Sequence, residues 1–289
     1  MLKQRIIATL IVKNGIVVQS IGFKKYLPIG KLSIAVDYLN KWGIDEIIIL
    51  DIDASKNSTV INSSLIHEVS SLCFVPLCVG GGISNVTHIK ELLQNGADKV
   101  SINHHFLHNP SFIHEAVSVF GSQCIIISLD IKKIDDVYRV YDVINDKTLD
   151  TLEVYLKKAH EYNVGEILLN SVDRDGMKTG LDTQLITFAT EHSKLPIIVL
   201  GGASNPLDLL EAIKNPNLSG VSAANFFHYF EHSVNISKSF IKKEVNYPIR
   251  NDNYASYNEF EFTIEGKIKK RSDLTFAKLL FEVHKEEKI

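Results

Sequence analysis

The chain carries one pattern twice. Glu46-Ile-Ile-Ile-Leu-Asp51 resembles Glu166-Ile-Leu-Leu-Asn-Ser171, and each leads to a glycine segment, Gly81-Gly82-Ile83-Ser84-Asn85 and Gly201-Gly202-Ala203-Ser204-Asn205. Gly81 lies 35 residues beyond Glu46, and Gly201 lies 35 beyond Glu166. Val100-Ser101-Ile102-Asn103 is answered by Val221-Ser222-Ala223-Ala224-Asn225, and Ala8-Thr9-Leu10-Ile11-Val12-Lys13 by Ile127-Ser128-Leu129-Asp130-Ile131-Lys132. Copies kept in register imply two halves of one architecture.

Inside each half, short β-branched runs alternate with longer amphipathic stretches. Strands are predicted over 5–12, 46–52, 75–79, 99–102, 125–131, 166–170, 197–200 and 220–223. Most are continuous apolar runs, as strands covered by helices on both faces must be. Helices are predicted over 31–42, 84–95, 110–120, 151–162 and 206–214, with Ser84 and Ser204 as N-caps, Pro110 and Pro206 in first turns and Gly96 as a stop. A polar hairpin around 137–150 interrupts the alternation. Eight βα units in about 240 residues have the size of a (β/α)8 TIM barrel. An open doubly wound α/β sheet shares that element order. The repeat decides for the barrel, because two four-unit halves can close on each other about a pseudo-twofold axis.

The barrel is assigned to residues 1–248 and a C-terminal extension, packed on it, to 249–289. In the extension Phe260, Phe262 and Ile264 alternate like a strand before a turn at Gly266, and Ser272 caps a last helix with Leu274, Ala277, Phe281 and His284 on one face. A docking surface is the alternative use of that segment.

Composition narrows the setting. With 45% hydrophobic and 22% charged residues the chain can build a large core, which excludes a disordered polyelectrolyte. The net charge of −3 gives no general attraction to nucleic acid or to anionic membrane. No apolar stretch has the length of a membrane span, and the run 6–12 is too short for a signal peptide. Cys73, Cys78 and Cys124 form neither a disulfide framework nor a Cys-x-x-Cys pair, so a soluble cytoplasmic protein is expected.

Chemistry is expected at the carboxyl ends of the strands. The turns Gly80-Gly81-Gly82 and Gly201-Gly202 let backbone approach a ligand and aim N–H groups at phosphate oxygens, with Asn103 and Asn225 as added donors. A substrate with a phosphate at each end would bridge them. Tight βα turns alone would also require such glycines. Asp130 ends an apolar strand and should face the mouth as a general acid or base, with Asp51 and Asp175 at comparable rim positions. At the opposite ends, Arg5, Glu46, Lys99 and Glu166 stand where strands one, two, four and six begin. Turned inward they would form a ring of paired charge; turned outward they are solvated strand ends. His104 and His108 have i, i+4 spacing, but no neighbouring carboxylate or cysteine completes a metal set, so a helix surface is expected and no metal.

These residues resemble the cyclase subunit of imidazole glycerol phosphate synthase over about residues 1–240. The resemblance rests on Arg5-Ile-Ile-Ala, Val79-Gly-Gly-Gly-Ile, Ala97-Asp-Lys-Val-Ser-Ile-Asn103, Phe120-Gly-Ser-Gln123, Gly165-Glu-Ile-Leu-Leu169 and Asp173-Arg-Asp-Gly176. It implies no cofactor, a glutaminase docked at the barrel bottom, an ammonia gate at Arg5, Glu46, Lys99 and Glu166, and a phosphorylated or sugar substrate at the top. The rim it implies for that substrate comprises Gly81, Gly82, Asn103, Gly201, Gly202, Ala224, Asn225, Asp51, Asn170, Asp175 and Gly176.

The resemblance also implies two catalytic aspartates, of which one is Asp130 and the other falls at Ile11. Asn14 and Gln19 depart too, where the cyclase tends to carry acidic and basic residues. With Leu10-Ile11-Val12, Pro76-Leu77-Cys78, Asn170-Ser171-Val172 and Val245-Asn246-Tyr247-Pro248, the chain resembles a divergent branch associated with acetamidino modification of surface-polysaccharide sugars, which works beside a separate amidotransferase. Three functions follow as expectations: ammonia channelling for sugar amidation, a histidine-pathway cyclase that compensates for Ile11, and a non-catalytic phosphosugar-binding scaffold.

Overall fold

A computed structural model describes residues 4–245, 249, 257–270 and 272. Among them, eight parallel strands form a closed barrel: β1 (Arg5–Lys13), β2 (Glu46–Asp51), β3 (Leu77–Gly80), β4 (Lys99–Ile102), β5 (Ile125–Ile134), β6 (Glu166–Ser171), β7 (Ile197–Leu200) and β8 (Gly220–Ala223). Closure is made by β1, which pairs with β8 through Arg5 and Gly220 and with β2 through Ile7 and Glu46. β3 starts at Leu77 and not at 75. Pro76 has no N–H to give a ladder.

Both β1 and β5 run past the barrel rim into antiparallel arms. After β1 the arm is Ile16–Ile21 with Lys25–Gly30, and after β5 it is Val137–Asp142 with Lys147–Thr151. Two-residue turns with positive φ start each arm, Asn14-Gly15 at 49° and 76° and Asp135-Asp136 at 49° and 61°. Such turns match the twist of the strands they join. The second arm is the polar hairpin expected around 137–150, and the first, absent from the predicted elements, follows from the Asn14-Gly15 turn.

Helices fill the outside, including Ser63–Ser70, His104–His108, Thr183–His192 and Ser233–Glu244, which the periodicity did not pick out. The N-caps are Asn85 and Asn205, each one residue beyond the serine expected, accepting from the backbone N–H of His88 and Asp208. Asn205 and Asp208 complete a capping box with Pro206 in the first turn, whereas Pro110 precedes its helix as the cap residue. Asn205→Ala is expected to cost about 1 kcal/mol in denaturant unfolding.

Strand alternation splits the core. One side of each strand packs on the helices, and the other sends Ile7, Ile48, Cys78, Ile126, Leu168, Ile198 and Leu200 into the barrel interior.

Residues 257–270 lie on the outer helices Pro206–Ile213 and Ser233–Glu244. Phe262 bridges Ile268 antiparallel and sets its ring 5.7 Å from that of Phe240, while Leu207 N–H donates to Glu265 O. Gly266, at φ 80°, has room for no side chain between Pro206 and Phe240. The strand expected through Phe260, Phe262 and Ile264 stops short: Ile264 stands in the turn, 87% exposed. Past Ser272, the expected last helix with Leu274, Ala277, Phe281 and His284 lies outside the described residues, as do Asn246, Tyr247 and Pro248. No helix among the described residues is long and apolar enough to cross a membrane.

Candidate functional site

The carboxyl ends of the strands surround a cavity of about 150 Å³. Its walls bring together Ile11, Asp51, Gly81, Gly82, Asn103, Asp130, Asn170, Asp175 and Ala224, together with Lys56, His104 and His105. A smaller cleft, about 20 Å³, holds Gly176, Gly201, Gly202 and Asn225 and shares Asp175 and Ala224 with the first.

Asp130 lines the larger cavity. It is paired in register with Asn170 across β5 and β6, and Asn103 follows β4 next door. Asn170 Nδ2 donates to Asp130 Oδ1 at 3.2 Å, and Asn103 Nδ2 donates to Oδ2 at 3.1 Å. Burial pushes the carboxyl up to about 7, and the two amides only partly oppose it. A carboxyl near neutrality can both give and take a proton at working pH. Asn170 Oδ1 is buried with no hydrogen-bond partner, which leaves an acceptor beside that carboxyl. Ile11 lines the same cavity and contributes only hydrocarbon.

The other predicted polar residues are mostly committed to the scaffold. Burial raises Asp51 against two backbone donors, the N–H groups of Asp53 and Ala54, which it uses to shape its loop. Asp175 accepts from Ser20 Oγ at 2.6 Å and Phe23 N–H at 3.2 Å. Asn225 accepts from Ser20 N–H and donates to Ser20 O. These two residues therefore fasten the first arm onto the mouth, while Asn225 still lines the smaller cleft. Asn103, likewise, spends its amide on Asp130 and Ser128 O.

The glycines have a packing reason as well. A Cβ on Gly82 would fall 1.7 Å from Thr59 O, and one on Gly202 would fall 2.2 Å from Gly180 O. Gly176 meets Ser20 O at 2.3 Å in the same sense. Gly81 and Gly82 still face the cavity with Lys56, whereas the Gly201-Gly202 turn lines the smaller cleft.

At the barrel bottom the four charges point inward and close on one another. Arg5 contacts both Glu46 and Glu166, and Lys99 reaches the same two carboxylates at 2.9 and 3.3 Å. Burial opposes the two cations' charge, but the attraction of Glu166 and Glu46 outweighs it and leaves Arg5 and Lys99 more basic than usual. Each charge thus has opposite neighbours, as a buried ring requires. Cys78, wholly buried in the apolar layer within the barrel, has its thiol pushed well up by that burial.

One grouping corrects the sequence reading. His108 Nε2 lies 2.6 Å from Asp142 Oδ2, and His104 Nδ1 lies 4.0 Å from Asp142 Oδ1. The second arm carries Asp142 to the histidines, so a carboxylate does complete a set of three metal-capable side chains. The separation of 34 positions between His108 and Asp142 hides that pairing from any local pattern.

The histidine biosynthesis protein family matches residues 5–233. The chain is 42% identical over 268 residues to a Vibrio vulnificus protein provisionally named imidazole glycerol phosphate synthase subunit hisF2, covering 92% of this chain and 98% of that one. A Campylobacter jejuni protein of the same provisional name is 40% identical over 233 residues, 81% of this chain and 93% of its own. The Dehalococcoides mccartyi imidazole glycerol phosphate synthase subunit HisF is 36% identical over 256 residues, 88% of this chain and 100% of its own. With the closed barrel, these matches establish that the chain belongs to the histidine biosynthesis protein family, within the group of imidazole glycerol phosphate synthase cyclase subunits.

Proposed function

We propose that this barrel receives ammonia from a glutaminase docked at its bottom and passes it to the mouth for amidation of a sugar substrate. The setting is the cytoplasmic synthesis of acetamidino sugars for surface polysaccharide, with a separate amidotransferase above the mouth. The observation that carries the reading is the contrast between the two ends of the barrel. At the mouth, Ile11 lines the cavity beside Asp130, where the family resemblance implies a second carboxylate. At the bottom, all four gate charges are present and paired, below an interior layer of Ile7, Ile48, Cys78, Ile126, Leu168 and Ile198. An apolar interior suits neutral ammonia and penalises an ion. Gly81, Gly82 and Lys56 supply an anion-binding corner for a phosphorylated substrate, and Gly201 with Gly202 a second one.

Fed ammonium and the family's bisphosphorylated substrate, the isolated barrel is expected to turn over about 10²–10⁴-fold more slowly than a relative with both aspartates. Steady-state assays decide this. Robust turnover overturns the reading in favour of a histidine-pathway cyclase, the alternative that Asp130's readiness to exchange a proton near pH 7 supports.

Lys99→Ala tests the gate. It is expected to lower product formed from glutamine more than product formed from free ammonium, which enters from the top. Equal loss with both nitrogen sources reduces the ring to structural ion pairs.

A further inference from the structure

We propose that His104, His108 and Asp142 form a divalent-metal site of the zinc type on the rim of the mouth. One donor atom from each residue lies within 4.8 Å of the other two. The i, i+4 spacing on the helix His104–His108 puts both imidazoles on one face, with ring centroids 4.6 Å apart. Asp142 ends the strand Val137–Asp142 of the second arm and meets that face.

The carboxylate is fixed before any metal arrives. Asp142 has a side chain only 2% exposed, and it accepts from Ile144 N–H, Asn145 N–H and Asn145 Nδ2 at 3.1, 3.2 and 2.7 Å. Outer hydrogen bonds of this kind are what orient metal-binding carboxylates. His104 Nδ1, in contrast, is buried with no hydrogen-bond partner, and 4.0 Å from Asp142 Oδ1 is too far to make one. A buried ring nitrogen is rarely left without a partner. A metal ion between the two supplies it.

The distances suit such an ion. Zinc bonds of about 2.0–2.2 Å set tetrahedral ligand atoms about 3.3–3.6 Å apart. The separations of 2.6 and 4.0 Å to the two oxygens of Asp142 lie on either side of that range, and His108, 41% exposed, would exchange its hydrogen bond to Asp142 for the ion. Two imidazoles and one carboxylate favour zinc over magnesium or calcium, which prefer all-oxygen sets.

Three protein ligands leave a fourth position for water or a substrate oxygen. His104 and Ile144 line the main cavity, so the ion borders the space that holds Asp130. The site does not depend on which reaction the mouth performs.

The test is titration of the chelator-treated full chain with Zn²⁺ by calorimetry and with Co²⁺ by visible absorption. The expected result is one Zn²⁺ per chain and Co²⁺ bands of a four- or five-coordinate site. His108→Ala, at an exposed position, is expected to weaken binding by at least about tenfold. His114→Ala, exposed on the next helix, is expected to leave it unchanged. No binding at micromolar Zn²⁺, or binding that survives both His108→Ala and Asp142→Asn, overturns the site and leaves a hydrogen-bonded His–Asp pair.

Discussion

Asp130→Asn is expected to melt above the wild-type protein by a margin that widens by about 8 °C between pH 5 and pH 8. The folded carboxyl sits at about 7 because its surroundings strip it of water, against about 3.9 in the unfolded chain. Between those values the native state binds more protons than the unfolded state, so wild-type stability falls as pH rises from about 4 to about 7. Three units correspond to about 4 kcal/mol, of which about 3 kcal/mol falls between pH 5 and pH 8. An amide at this place does not titrate, and it can donate to Asn170 Oδ1, which has no partner. Thermal denaturation of both proteins over that pH range measures the margin. A margin independent of pH would mean that Asp130 ionises as an ordinary surface carboxylate does.

Glu46→Gln is the second large effect. Glu46 is completely buried and touches both Arg5 and Lys99, so its loss leaves two cations sharing Glu166. Breaking a buried ion-pair set in this way costs about 3–5 kcal/mol, where an exposed pair costs under about 1 kcal/mol. The loss should persist in high salt, because screening acts weakly on buried pairs. Urea unfolding at low and high ionic strength reads both quantities, and a small, salt-sensitive cost would place the ring in solvent. Replacing all four charges by apolar residues of similar volume is expected to be nearly neutral for stability. Stability alone therefore does not account for the ring, which is why gating is the use we propose for it.

Much of this was legible in the chain. The equal spacing of the two halves requires equivalent β-strand and glycine positions, and that regularity survives in the closed barrel from β1 to β8. Arg5, Glu46, Lys99 and Glu166 stand at the starts of parallel strands, so strand direction alone puts them at one end. Local chemistry would also have found the arm after β1, because Asn14-Gly15 is a hairpin signal. The serine caps missed by one residue, since Asn85 and Asn205 are equally good acceptors a step further on.

What the tertiary structure alone decided is which polar groups remain available. Asn225 and Asp175 line the mouth, and there they also hold Ser20 and Phe23 of the first arm by hydrogen bonds that no local pattern announces. Asp130 looks like any strand-end aspartate until Asn103 and Asn170 close around it and burial lifts its proton affinity. Asp142 joins His104 and His108 only because an arm folds back over the rim. Periodicity and spacing record which face a residue presents, and so they determine the barrel. Hydrogen-bond partners and desolvation depend on segments distant in the chain, and so only the folded arrangement determines the site.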